Sequence, residues 1–175
     1  MIVSQSRLIV GPEMGKHFNM GDVGMDFKIR SGEIPSGVAV HEWELGSRKL
    51  SSPPHKHEHE DEVFYVLRGE VTVMQDENVA TAGPGSYVVL PRGHFHTFWN
   101  AGDVPARMLV ILSPGRLEQY FEKASQLIQP GAPPDLAQLG QLVQEHGLTI
   151  QFERMPELMA QYGLESDVPL PGGRP

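Results

Sequence analysis

Four residues of this chain have the side chains and the spacing to hold a metal ion: His55, His57, Glu62 and His96. Imidazole nitrogens and a carboxylate oxygen are good donors for divalent first-row metals such as Fe, Mn, Ni, Co or Zn, and the donor set does not choose among them. His55 and His57 are separated by one residue, so on a strand both point to the same face. Glu62 lies an odd number of residues beyond His57, and on one unbroken strand it would face the other way. The chain is therefore expected to turn through Glu58 to Asp61. A second strand beginning near Glu62 then aims its carboxylate back at the pair, and His96 enters from a third. Three neutral imidazoles and one carboxylate leave coordination positions open, which separates a working metal from a structural one. A metal that only holds the fold is the plainer alternative, yet 175 residues can bury a core without one. Glu62 can also leave the ion and take a proton from bound substrate, which makes it the candidate catalytic base.

Two longer patterns surround these residues. The first is H-x-H-x4-E-x6-G, met by His55, His57, Glu62 and Gly69; the second is G-x5-P-x-G-x2-H-x3-N, met by Gly85, Pro91, Gly93, His96 and Asn100. In this the chain resembles the cupin family over residues of roughly 38 to 112, with an insert from Glu70 to Pro84 between the patterns. One position departs from the family: Lys49 stands where a glycine usually precedes the first histidine, and the nearest glycine is Gly46. The resemblance implies an all-β core, a cupin-type double-stranded β-helix or jelly-roll barrel, with His55, His57, Glu62 and His96 as ligands of one divalent metal. Gly69, Gly85, Pro91, Gly93 and Asn100 are assigned to turns.

The elements that must position the site can be read from periodicity. Val38 to Leu45 alternates, with His41, Trp43 and Leu45 on the face to be buried. Val63 to Leu67 is apolar on both faces, as in a strand packed inside and out. Glu70 to Gln75 and Val79 to Ala82 flank a polar turn, Ser86 to Leu90 stops at Pro91, and Arg107 to Leu112 is the last barrel strand. From His94 the alternation sets His94, His96 and Phe98 together. Residues 1 to 37, with apolar pieces at Leu8 to Val10 and Met25 to Ile29, read as an arm and edge strands that either complete this chain's own sheet or pair with a partner's in a homodimer.

Beyond residue 112 the period changes to that of helices. Ser113 and Pro114 fit an N-cap and first helical position. Leu117, Tyr120, Phe121, Ala124, Leu127 and Ile128 then form one apolar stripe for the outside of the barrel. A second helix is expected from Pro134-Asp135 to Gly147, a short strand at Leu148 to Phe152, and a third helical segment at Met155 to Tyr162, so residues 113 to 164 form a packed extension of two to three helices. The proline- and glycine-rich residues 165 to 175 read as a mobile tail.

Composition removes several classes of function. The formal net charge of -8, with no basic run, argues against nucleic acid and anionic membrane as partners. The absence of cysteine removes disulfides and thiolate ligands. Neither a signal peptide nor an apolar stretch of membrane length is evident, which reads as cytoplasmic. The partner is expected to be a small flat or hydrophobic organic substrate, aromatic ones included, of the kind an apolar barrel mouth admits, with His41, Trp43, Phe64, His94, Phe98 and Met108 as candidate pocket residues. A barrel followed by helices is similar to the quercetinase-like cupins, whose resemblance implies a dioxygenase acting with dioxygen on a flavonol-like or enol substrate. The alternatives are a non-oxidative cyclase or isomerase, as in the cupin polyketide cyclases, and a cupin that binds a small molecule without turnover.

Overall fold

The computed structural model describes residues 9–129 and 131–168. Its strands, in chain order, are β1 (Lys16–Met20), β2 (Val23–Ile29), β3 (Ala39–Leu45), β4 (Lys49–Leu50), β5 (His55–His57), β6 (Asp61–Arg68), β7 (Val71–Gln75), β8 (Asn78–Ala82), β9 (Tyr87–Leu90), β10 (His96–Asn100), β11 (Ala106–Ser113) and β12 (Leu148–Ile150). The helices are α1 (Glu118–Leu127), α2 (Leu136–Glu145) and α3 (Met155–Tyr162), the last preceded by a short 3-10 turn at Phe152–Arg154. The strands form two antiparallel sheets, one in the order β1-β2-β3-β11-β6-β9 and the other β12-β5-β10-β7-β8 with β4 paired to β10. This is the expected jelly-roll barrel with a helical extension. The residues 16 to 29 complete the chain's own sheet, β2 pairing with β3 and β1 with β2. Ile9 and Val10 lie outside any strand, and Leu8 lies outside the described residues.

Alternation decides what each strand buries. On β3, Ala39, His41, Trp43 and Leu45 face the core, while Val40 and Glu42 face outward. On β6, Glu62, Phe64 and Val66 point inward, but the outer face is not packed as the sequence suggested: Val63 and Tyr65 are half-buried and Leu67 is 44% exposed. Strand β10 is buried throughout because each of its faces has a cover. Phe98 enters the barrel, and Trp99 turns into a second cluster with Leu50, Met74, Met155, Leu158 and Leu164. Tyr162 of α3 packs against Trp99 in a tilted arrangement with ring centroids 4.4 Å apart, a contact worth about 1 kcal/mol beyond the area it buries.

Two expectations at the carboxyl side are corrected. Ser113 does not cap a helix; it is the last residue of β11, paired with Asp61, and the chain runs on through Gly115 before α1 begins at Glu118. A Cβ on Gly115 would lie 2.4 Å from the Ala39 side chain, so this segment packs flat on β3 instead of coiling. The described part of the supposed mobile tail is tethered. Leu50 N–H donates to the Glu165 carbonyl, Ser166 Oγ to Asp22, and Lys49 Nζ lies 2.6 Å from Asp167. Residues 169 to 175 lie outside the described residues.

The hinge between β6 and β7 gives a test of the backbone reading. Gly69 has φ +72°, and a Cβ there would lie 2.8 Å from both the Pro105 carbonyl oxygen and Ala106 Cα. Gly69→Ala is expected to destabilise the protein by about 2 kcal/mol or more, from the left-handed backbone plus the collision, measured by urea denaturation. A loss below about 0.5 kcal/mol would show that the hinge relaxes freely.

Candidate metal centre

Strand β5 carries two of the four candidate ligands on only three residues, so its place depends on its neighbours. It lies between β10 and β12, with His55 opposite His96 on one side and opposite Ile150 on the other. Further backbone bonds fix its ends: Gln151 N–H donates to the Pro54 carbonyl at 2.8 Å, Gly93 N–H to the His57 carbonyl at 2.8 Å, and Glu58 N–H to the Gly147 carbonyl at 2.9 Å. The chain turns after His57 and re-enters the sheets at Asp61, which brings Glu62 inward from the opposite sheet.

The three histidines meet. Ring centroids lie 4.5 Å apart for His55 and His96, and 5.0 Å for both His55–His57 and His57–His96. One nitrogen from each falls within 4.8 Å of the others. Glu62 stands outside that tight set but against one of its members: Oε2 is 3.3 Å from His96 Nε2, with both side chains almost fully buried.

Several features fit these residues to a cation. His55 Nδ1 lies 3.0 Å from the Pro53 carbonyl and His96 Nδ1 3.2 Å from the His94 carbonyl, contacts in which Nδ1–H donates and Nε2 keeps its lone pair. His96 Nε2 then faces the Glu62 carboxylate without a hydrogen bond, two electron-rich groups that a positive ion would reconcile. His57 Nδ1 is likewise buried and unpartnered among the described residues. Burial and the nearby His96 and His57 rings hold His55 well below the usual imidazole range. His57 is lowered to about 4 by burial, helped by His96 and opposed by Glu62. Imidazoles kept neutral in this way are what a metal requires of its ligands.

His55, His57 and Glu62 open on a cavity with about 1070 Å³ of atom-free space, its open mouth included. Of the candidate pocket residues, Trp43 and Phe98 line it. The other four candidates do not. Phe64 and Met108 are wholly buried in the core, Phe64 packing edge-on to Phe98 at 4.7 Å. His94 is corrected outright: it precedes β10, its side chain is 51% exposed, and Nδ1 lies 2.9 Å from Asp76. The turn through Gly93, at φ +83°, ends the alternation that would have carried His94 inward. His41 sits one layer behind the cavity wall, stacked on Phe27 at 3.9 Å and close to Trp43 and Phe121, with neither ring nitrogen hydrogen-bonded. Burial, helped by Arg30, lowers it to about 3.

The larger surprise is the rest of the wall. Leu117, Tyr120 and Phe121 of the segment entering and forming α1, Leu139 of α2, and Ile150 and Phe152 line the cavity. The apolar stripe of the first helix thus closes the barrel's interior instead of lying on its outside. Its periodicity was legible in the sequence, but nothing local says which surface the stripe meets. Glu60 was also missed: it is 1% exposed, one carboxylate oxygen lacks a partner among the described residues, and burial holds it above the usual carboxylate range.

Comparison with known proteins agrees with this geometry. Residues 41–112 match the family described as Cupin domain. No curated protein matches the sequence. Among solved structures, the polyketide cyclase RemF from Streptomyces resistomycificus is similar at 23% identity over 62% of this chain and 80% of that one, with TM-score 0.53. A predicted oxalate decarboxylase from Thermotoga maritima is 18% identical over 61% of this chain and 98% of its own, with TM-score 0.55. A sugar phosphate isomerase of the cupin superfamily from Silicibacter pomeroyi is 25% identical over 53% of this chain, with TM-score 0.47, and the match spans 59% of its length. The two-sheet antiparallel barrel with a histidine cluster between its strands agrees with that match, which assigns residues 41–112 to a cupin domain. No helix among the described residues is long and apolar enough to cross a membrane.

Two outcomes test the site. His96→Ala is expected to lower bound divalent metal from near one equivalent to near none while the far-ultraviolet circular dichroism is kept; full retention would remove His96 from the ligand set. The second concerns His41, whose folded pKa of about 3 lies below the usual 6.5. Between those values the unfolded chain binds the extra proton, so the fold is most stable above pH 6.5 and loses stability as pH falls toward 3. His41→Leu is expected to move the acid-unfolding midpoint of the metal-free protein to lower pH. An unchanged midpoint would mean that His41 does not set it.

Proposed function

We propose that this chain is a metal-dependent enzyme that removes a proton from an enolisable organic substrate, with Glu62 as the base. One observation carries the reading: Glu62, 2% exposed, lines the same cavity as His55 and His57 and touches His96. A divalent ion held by His55, His57, His96 and Glu62 would supply a Lewis acid against a carbonyl or enol oxygen. His55 and His96, whose rings are anchored to backbone carbonyls, would fix its place, and the apolar wall keeps bulk water from the carboxylate. Glu62 Oε2 then accepts the proton from the carbon or hydroxyl next to that oxygen and can return it at a neighbouring position, which is the chemistry of an isomerase or cyclase. RemF and the Thermotoga protein share the fold, so it is the site and not their names that supports this.

The cavity's apolar lining also suits dioxygen, and oxidative cleavage of the deprotonated substrate is the second reading. α-Tetralone, an enolisable bicyclic ketone, tests both. Metal-loaded protein is expected to exchange its α-hydrogens with solvent deuterium, followed by nuclear magnetic resonance, and Glu62→Gln to slow this by about 100-fold or more. Oxygen uptake in step with substrate loss would favour the dioxygenase. Neither exchange nor uptake from the metal-loaded protein would end the proposal.

A further inference from the structure

The helical extension, beyond the segment that matches the family, supplies a polar group that the metal chemistry does not use. Among the described residues, four hydroxyls line the cavity: Ser51, Ser52, Tyr120 and Ser166. Three are engaged. Ser51 Oγ donates to the Phe98 carbonyl at 2.6 Å, Ser166 Oγ to Asp22 at 2.8 Å, and Ser52 Oγ lies 3.3 Å from His55 Nδ1. Tyr120 on α1 has no hydrogen-bond partner among the described residues, although its side chain is 6% exposed and packs against Phe121 and His146. Burial alone pushes its phenol up to about 12, so the proton stays on oxygen at neutral pH. A hydroxyl at a cavity wall with no protein partner is free to donate to water or to a ligand that enters.

The remaining lining limits what that ligand can be. No lysine or arginine among the described residues lines the cavity. Asp22, which does, is turned away: it lies 3.4 Å from Lys49 Nζ and accepts from Ser166 and the Asp167 N–H. A phosphate or carboxylate group on the extension's side would leave water with no cationic side chain to receive it.

We propose that Tyr120 is a specificity-determining residue, donating its O–H to an acceptor oxygen of the substrate, and that the substrate is an uncharged aromatic or polycyclic ketone or phenol, not a sugar phosphate or an organic acid. This rests on the cavity being the substrate site proposed above. Apolar rings fill the space between Leu117, Phe121, Leu139 and Phe152, and the oxygen seats at Tyr120. The hydroxyl adds selectivity because a substrate lacking the acceptor leaves it unpaired.

Binding measured without turnover tests this separately from catalysis. The probes are flavone, an uncharged aromatic ketone; flavan, the same skeleton without the carbonyl; and glucose 6-phosphate, each titrated into metal-free wild-type and Tyr120→Phe protein by calorimetry. Flavone is expected to bind the wild type more tightly than flavan, and Tyr120→Phe to weaken flavone about 3- to 10-fold while leaving flavan and thermal stability unchanged. Equal affinity of wild type and variant for flavone, an equal loss for flavan, failure of flavone to bind, or tighter binding of glucose 6-phosphate would each overturn it. Tyr120-dependent flavone binding in a protein that neither exchanges α-hydrogens nor consumes oxygen would overturn only the enzymatic reading.

Discussion

A strand of three residues cannot hold itself in place, and the candidate metal centre depends on one. His55 and His57 are carried by β5, whose direction is set by β10 on one side and β12 on the other. Because β10 also carries His96, the ladder that orders the first two ligands delivers the third at the same register. The other neighbour, β12, comes from beyond the second helix. The extension is therefore part of the centre's framework, even though every candidate ligand lies within the barrel segment.

Around that ladder the protein leaves several buried polar atoms without protein partners. For His57 Nδ1 and His96 Nε2 the reason is local, since both belong to the mutually close histidine set. The Tyr120 hydroxyl is not one of these buried atoms but stands at the cavity wall, where three other hydroxyls have partners and it has none among the described residues. His41 is a different case: a neutral ring packed among Phe27, Trp43 and Phe121, held as an aromatic plane at the cost of two unpaired nitrogens. Polar groups without protein partners thus point to a cation, to a ligand and to packing in three places, and only their surroundings tell them apart.

Much of the barrel was legible in the sequence because strand alternation and glycine turns are local signals. The odd step from His57 to Glu62 already required the turn before Asp61, and the spacing of the two long patterns fitted strands that converge on His55, His57 and His96. What could not be read was set by contacts distant in the chain. His94 fitted the alternation of β10 but fell before the strand began, where Asp76 draws its ring outward. Ser113 and Pro114 fitted a helix start, but pairing with Asp61 kept Ser113 in β11. Lys49, the departure from the family pattern, acquires a role only in three dimensions, bridging Asp22 and Asp167 and so helping to hold Glu165 to Val168 beside the cavity.

The clamp of β5 by β12 also bears on how the molecule is made. During vectorial synthesis the barrel strands through β11 leave the ribosome well before Leu148–Ile150, so the ligand-bearing strand first meets a single partner. Until the later segment arrives, the inner apolar surface that α1 and α2 will cover faces water. Nascent chains stalled between α1 and β12 are the stage at which chaperone capture and premature metal loading would compete with native assembly.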